Sequence, residues 1–220
     1  MANKQTEILP DEAMLALAYT PPSMRDALRI FLEFDARLAR IVSATTEPML
    51  GQIRLAWWRD ALGMAVSDRP AGDQVLDAIG THWAGAEEPF VALVDAWEEM
   101  LSEPPLSKEA AIAFAKGRGA GLAGISLLAE AKDNIQAEVQ KAGQVWALAD
   151  ALSHIAEASE RDMLLGLARE LPAPGRLPNP YRGIAVLGSL SLRALKTDGA
   201  PLMEGRGAAL TAMRAGLLGR

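Results

Sequence analysis

The sequence contains no cysteine and only two histidines, His82 and His154, and both shortages exclude common chemistries. Without cysteine the chain can form no disulfide, no thiolate metal site and no thiolate nucleophile. A serine–histidine–aspartate triad has only two residues from which to draw its base. The absence of cysteine is also compatible with a reducing compartment.

The sequence also shows no long apolar run and no cluster of basic residues. The longest apolar-rich stretch, residues 119–131, is shorter than the about 20 residues that a membrane-spanning helix needs. The first residues, MANKQTEILPDEA, do not show the charged-then-apolar pattern of a secretory signal. A net charge of -6 opposes binding to nucleic-acid phosphates. We therefore expect a cytoplasmic protein with no nucleic-acid partner and no transmembrane segment, for which peripheral contact with a membrane remains possible.

Hydrophobic residues make up half of the chain, whereas aromatic residues make up only 5%. Alanine and leucine provide most of the hydrophobic residues, which suits helices packed on helices. A chain of 220 residues is long enough for one large helical domain. We predict an all-α fold with a single domain over residues 1–220.

The clearest helical pattern is a hairpin over residues 34–62, in which a Thr-Thr-Glu-Pro turn joins two amphipathic helices. Pro48 suits the first position of the second helix, because proline there loses no hydrogen bond. The pattern predicts the following helices along the chain: 10–20, 23–43, 48–66, 73–83, 87–101, 109–131, 133–171 as one helix or two joined near 158–161, 181–196 and 201–218.

Several glycines interrupt the predicted helix 109–131, in the segment KGRGAG (116–121) and at Gly124. Glycine in an exposed helix is less favourable than alanine by about 1 kcal/mol. This cost must be offset by the close approach of another helix, by the close approach of a ligand, or by a kink that the glycines permit. The spacing does not match a phosphate-binding glycine loop, and no strand precedes it. Arg118 is a candidate ligand-binding residue, because a guanidinium facing a cavity could pair with an anionic group.

Other polar residues suggest weaker candidate sites. Asp150, His154 and Glu157 stand at i, i+4 and i+7, so we expect them to share a helix face, an arrangement that could hold a divalent metal. The alternative is a polar stripe that faces solvent. Trp57 and Trp58 are adjacent on a helix, which predicts one in the core and the other in a groove or interface.

Two further interpretations concern charged residues near these tryptophans. Arg54 lies one turn before Trp58, and both are candidate ligand-binding residues. Arg59 and Asp60 are expected to form a solvated pair.

Three segments resemble the squalene/phytoene synthase family, in the order in which that family has them. They are FDARLARIVSATTEPMLGQIRLAWWRDAL (34–62), DAWEEMLSEPPLSKEAAIAFAKGRGAG (95–121) and GQVWALADALSHIAEASERDMLLGLARELP (143–172). The resemblance implies an isoprenoid synthase-type helical bundle around a deep cavity, shortened at its C-terminal end. It also implies a reaction, because active members join two prenyl diphosphates head to head. Their two aspartate-rich motifs, on facing helices, hold Mg²⁺ against the diphosphates.

The first of these motifs is missing when the family pattern is laid on this sequence. Its three aspartates fall on Ala39, Arg40 and Ser43, and Asp35 lies one turn too early. Over the second motif, Asp150 falls near an amide position and His154 near an aspartate position. The resemblance therefore implies no bound cofactor, and Arg40 joins the candidate ligand-binding residues.

The chain most resembles the branch of this family that lacks the aspartate-rich motifs and includes the assembly factor for respiratory complex I. This implies a catalytically degenerate member that binds an isoprenoid or other lipid-like ligand, or a protein partner, with a role in respiratory complex assembly. The alternative is an active prenyl-diphosphate condensing transferase whose Mg²⁺ is held by substitutes such as Asp150, His154 and Glu157. A third interpretation is a structural subunit that needs a related chain to complete its active site.

Overall fold

The computed structural model of the chain describes residues 7–129 and 133–220, and no strand occurs in those ranges. The helices are α1 (Asp11–Tyr19), α2 (Pro22–Ser43), α3 (Pro48–Gly63), α4 (Gln74–His82), α5 (Glu88–Glu99), α6 (Lys108–Ala123), α7 (Ile125–Leu128), α8 (Asp133–His154), α9 (Ala158–Glu170), α10 (Arg182–Leu195) and α11 (Gly207–Leu218). Short 3₁₀ turns occur at Val66–Asp68 and Asn179–Tyr181. The predicted all-α fold is confirmed.

Local chemistry explains where several helices begin. Helices α2, α3 and α5 each carry proline in the first turn, where its missing N–H group is not needed. The Asp73 side chain accepts hydrogen bonds from two backbone N–H groups at the start of α4. Ser107 accepts one from Ala110 at the start of α6, at 3.0 Å. Both side chains satisfy donors that a helix start leaves without partners.

The hairpin of α2 and α3 lies where the sequence predicts it, and it contributes to one connected hydrophobic core that extends from α1 to α11. Phe34 of α2 is fully buried. Its ring stands edge-on to Trp58 of α3, with centroids 5.0 Å apart, and to Phe90 of α5, at 5.5 Å. Such aromatic pairs add to the stabilisation that comes from burial alone.

Close helix packing accounts for the glycines of α6. A Cβ atom on Gly119 would lie 2.8 Å from the Gln140 carbonyl oxygen of α8, and one on Gly143 would lie 2.8 Å from Gly119 Cα. On the other side of α6, a Cβ on Gly117 would lie 2.8 Å from Ala96 Cβ of α5. Of the three explanations that the sequence leaves open, close approach of other helices is confirmed at these positions.

Three predicted helices differ from the structure. The predicted helix 109–131 divides at Gly124 into α6 and α7, and its predicted end at Ala131 lies outside the described residues. The pattern over 133–171 forms two helices, α8 and α9, with the break at residues 155–157. The last helix begins at Gly207 and not at Pro201, because Gly205, inside the predicted range, has a positive φ angle, which a right-handed helix cannot contain.

None of the helices within 7–129 and 133–220 has both the length and the apolar character that crossing a membrane requires.

Candidate functional site

A cavity of about 800 Å³ lies between α1, α2, α5, α6 and α8, with residues 8–10 and 201–203 closing its sides. Apolar side chains form most of its wall: Leu32, Ala36, Ala39, Val42, Met100, Ala151, Ile155, Leu202 and Met203. Ile8, Arg40 and His154 are exposed and mark the rim, whereas Asp35, Arg118 and Trp146 are buried and mark the floor. The volume lies in the range of small-molecule sites.

An ion triad crosses the floor of this cavity. Arg118 of α6 donates from Nε and Nη2 to the two carboxylate oxygens of Asp35 on α2, at 2.8 and 2.5 Å. Its Nη1 donates to Asp150 Oδ2 on α8, at 2.7 Å. Trp97 Nε1 of α5 also donates to Asp35 Oδ1, at 2.8 Å. One guanidinium therefore joins three helices, and the bond to Asp35 is bidentate, which is the strongest geometry for such a pair.

Aromatic rings complete the surroundings of Arg118. Its Cζ lies 3.7 Å from the ring centroid of Trp146, 5.2 Å from that of Trp97 and 5.6 Å from that of Phe114. Cations are attracted to the faces of such rings, most strongly where water is excluded. The side chain of Arg118 is only 3% exposed. Arg118 is thus a buried cation whose charge is balanced by carboxylates and covered by aromatic rings.

The pKa directions follow from this arrangement. Burial alone would lower the pKa of Arg118, but the charges of Asp35 and Asp150 outweigh it, so its pKa is raised. Burial raises the pKa of Asp35, while Arg118 and the Trp97 hydrogen bond act against that rise. The charged form of Asp35 therefore depends on Arg118.

Glu12 of α1 is a further carboxyl group on the cavity wall. Burial raises its pKa, the nearby negative charge of Asp150 adds to the rise, and Arg118 opposes it. The protonated form of Glu12 is accordingly favoured more than that of an exposed glutamate.

The positions that the family pattern assigns to the first aspartate-rich motif do face the cavity. Ala39, Arg40 and Ser43 all line it, and none offers a carboxylate. Arg40 Nη2 donates to Glu7 Oε1 at 2.6 Å, and Arg37 pairs with the same carboxylate. A guanidinium repels Mg²⁺ and does not bind it.

The carboxylates on the floor do not fit Mg²⁺ either, because Arg118 already binds both Asp35 and Asp150. No group of three or more His, Cys, Asp or Glu side chains in the described part of the chain could hold a metal ion. The donor set at this cavity therefore does not fit the magnesium that the family pattern implies.

The predicted helical face of Asp150, His154 and Glu157 is wrong. Helix α8 ends at His154, and Glu157 instead caps α9 by accepting a hydrogen bond from the Glu160 backbone N–H at 2.8 Å. His154 Nδ1 lies 3.9 Å from Asp150 Oδ1, and the histidine side chain is 76% exposed. The helix break separates Glu157 from the other two residues.

The candidates on α3 lie apart from the cavity. Arg54 is exposed, and Trp58 is buried in the core, so neither lines the cavity. Trp57 is 44% exposed, in keeping with the prediction that only one of the two tryptophans enters the core. The predicted pair of Arg59 with Asp60 is wrong, because Arg59 reaches across to Asp95 and Glu98 of α5, each at 2.5 Å.

Sequence reasoning identified Arg118 and Asp150 but did not pair them, and it missed Asp35, Glu12 and Trp146. One signal for Asp35 was available. It stands four residues before Ala39 and eight before Ser43, so it shares the helical face of the motif positions. The anionic groups that Arg118 meets are the protein's own carboxylates.

Comparison with known proteins gives one family match. The family model described as Squalene/phytoene synthase matches residues 11–171. No curated protein and no solved structure matches the chain. The matched range contains Glu12, Asp35, Arg118 and Asp150, and so covers the whole ion triad.

Proposed function

Because the chain belongs to the squalene/phytoene synthase family, we propose that it is a binding member of that family. It holds an uncharged isoprenoid-like ligand in the cavity and does not carry out the magnesium-dependent condensation of prenyl diphosphates.

The observation that carries this proposal is the position of Arg118. Active members need carboxylates of two facing helices to be free for Mg²⁺, as the family resemblance implies. In this chain the carboxylates of Asp35 on α2 and Asp150 on α8 are bound by a guanidinium of the protein itself. A metal ion would have to displace a buried cation that has two ion pairs and three aromatic neighbours.

Charge also disfavours a diphosphate in this cavity. Four carboxylates and two guanidiniums line it: Asp11, Glu12, Asp35, Asp150, Arg40 and Arg118. Both guanidiniums already pair with carboxylates, so the charge of each is balanced within the protein. An anionic head group would meet excess negative charge with no metal to neutralise it, and such contacts cost several kcal/mol. The apolar wall favours a hydrocarbon chain, because burying it removes apolar surface from water.

Binding and turnover assays on the purified chain test the proposal. Farnesol and farnesyl diphosphate are titrated separately while tryptophan fluorescence is recorded, because Trp97 and Trp146 line the cavity. Farnesol should bind at least about tenfold more tightly than the diphosphate. With Mg²⁺ present, farnesyl diphosphate should release no pyrophosphate.

Two variants make this test specific. Ala39→Trp places a large side chain in the cavity and should abolish farnesol binding, whereas Ala18→Trp, at an exposed position of α1, should leave it unchanged. Failure of farnesol to bind the wild-type chain would refute the binding role. Pyrophosphate release that is lost in Asp150→Ala and His154→Ala would establish the alternative, an active condensing transferase.

A second candidate function, binding of a protein partner during respiratory complex assembly, is favoured by the outer face of α3. Met49, Ile53 and Trp57 follow one another at four-residue spacing and are 70%, 60% and 44% exposed. Contiguous exposed apolar side chains are typical of protein interfaces.

Genetic complementation in the source cells tests this role. Deleting the gene should reduce assembled respiratory complex I, measured by native electrophoresis, and a chain with Ile53→Asp should not restore it. Normal assembly after deletion would contradict the role.

A further inference from the structure

Helix α11 exposes one apolar face while its opposite face is buried. Leu210, Met213 and Leu217 are 64%, 46% and 65% exposed and stand at i, i+3 and i+7, which places them on one side of the helix. The other side carries small buried residues, Ala208, Ala212, Ala215 and Gly216. Because α11 packs on α10 and α1 through these small residues, its large apolar side chains are left in solvent.

The charge of this segment is opposite to that of the whole chain. Residues 205–220 contain three arginines and no acidic residue, although the chain has a net charge of -6. Arg206, Arg214 and Arg220 are all exposed. Arg214 lies between Met213 and Leu217 in sequence and beside them on the helix surface.

One basic residue from the segment before α10, Arg176, extends this positive region. Arg176 is exposed, and its Nε donates to the Leu218 carbonyl oxygen at 2.9 Å, so its charge is held at the end of α11. Exposed leucines beside arginines, with no carboxylate on the helix, suit an anionic bilayer surface, where apolar side chains enter the interface and arginines are attracted to lipid phosphates.

We propose that α11 docks the protein on an anionic lipid surface, with Leu210, Met213 and Leu217 entering the interface and Arg206 and Arg214 contacting lipid phosphates. The exposed face of α3 fits this surface less well. Glu47 is exposed just before that helix and Asp60 on it, so that Arg54 is its one exposed cation not matched by a contacting carboxylate within the described part of the chain. The carboxylates of Asp95 and Glu98 lie against its Arg59. Charge complementarity therefore selects α11 as the membrane-facing element.

Helix α11 closely follows one of the segments that line the cavity. Pro201, Leu202 and Met203, which line the cavity, stand four or more residues before the start of α11. Docking would place this side of the cavity close to the lipid.

Flotation of the full chain with vesicles tests the proposal. Vesicles of phosphatidylcholine with phosphatidylglycerol should bind the protein, and pure phosphatidylcholine vesicles should bind it far more weakly. The binding should fall as the salt concentration rises. Arg214→Gln should weaken it about fivefold, as expected when one arginine is removed from an anionic surface. The double variant Leu210→Ser and Leu217→Ser should weaken it further.

A matched control is the double variant Met49→Ser and Ile53→Ser, which removes two similarly exposed apolar side chains from α3 and should bind as the wild type does. All variants alter exposed residues, so circular dichroism should show unchanged helix content.

Three results would overturn the proposal. The first is absence of wild-type binding, and the second is equal binding to neutral and anionic vesicles. The third is a dimer in solution that the α11 double variant dissolves without any vesicle binding, because the face would then join two copies of the chain.

Discussion

Removing the buried cation at the cavity floor should destabilise the fold strongly. In Arg118→Met the side chain keeps much of its length but loses its charge, so Asp35, which is only 5% exposed, remains buried with the Trp97 hydrogen bond alone. Breaking a buried pair by removing one partner lowers the free energy of unfolding by about 3–5 kcal/mol. For a chain of this size the melting temperature should fall by roughly 6–20 °C.

Arg59→Met is the matched control for this experiment. Arg59 also contacts two carboxylates, Asp95 and Glu98, but its side chain is 36% exposed and that of Asp95 is 57% exposed. Exposed pairs contribute at most about 1 kcal/mol. Urea unfolding of both variants at neutral pH should therefore separate the buried cation from the exposed one.

A double-mutant cycle distinguishes the lost pair from lost packing. Asp35→Asn keeps an acceptor for the Trp97 N–H group but removes the negative charge, so it should recover much of the stability that Arg118→Met loses. The pH dependence gives a second check. Without Arg118 the pKa of Asp35 is raised further, so the cost of Arg118→Met should shrink as the pH falls and Asp35 takes up a proton.

Two results would refute the role of the buried pair. The first is that Arg118→Met lowers the free energy of unfolding as little as Arg59→Met does. The second is that the effects of Arg118→Met and Asp35→Asn on this free energy simply add in the double variant.

Two further predictions concern the helix contact and the cavity wall. Gly143→Ala should lower the free energy of unfolding by about 1–2 kcal/mol, because the new Cβ atom meets the α6 backbone. Gly166→Ala has open space around the new Cβ atom and should raise the free energy of unfolding by up to about 1 kcal/mol. Equal effects of the two substitutions in urea unfolding would contradict this prediction. Because the pKa of Glu12 is raised on folding, its carboxylate reduces stability as the pH rises past its unfolded value of about 4.5. Glu12→Gln should therefore raise the melting temperature at neutral pH but not at pH below that value, and a pH-independent shift would exclude this explanation.

The helices could be predicted from the sequence because their signals are local. The hairpin turn before Pro48, the serine cap at Ser107 and the apolar spacing of α2 each lie within a few neighbouring residues. The break between α8 and α9 was located only approximately, because residues 155–157 contain neither glycine nor proline. The late start of α11 depends on the positive φ angle of Gly205, and glycine in a sequence does not by itself indicate the sign of its φ angle.

The candidate site was less predictable because its partners are distant in sequence. Arg118 lies 83 residues from Asp35 and 32 from Asp150, and nothing in a single sequence states which charges meet. The register of Asp35 against a metal-binding motif indicates only that it is no metal ligand, and this register contains no information about a partner arginine. The predicted metal-binding face of Asp150, His154 and Glu157 is wrong because helical spacing applies only while the helix continues, and α8 ends before Glu157.

The close contact between Gly119 and Gly143 limits how far the floor of the cavity can move. Arg118 is adjacent to Gly119, and Trp146 follows Gly143 by three residues, on two helices whose backbones touch with no side chain between them. A change of rotamer cannot move backbones that already touch, so the depth of the cavity is set rigidly at this end. Under the proposed ligand-binding role, any adjustment to ligands of different length would come from the rim, where residues 8–10 and 201–203 are outside helices. In that proposed role, the floor would limit how deep a hydrocarbon chain can enter, and the residues of the rim would determine which chain lengths fit.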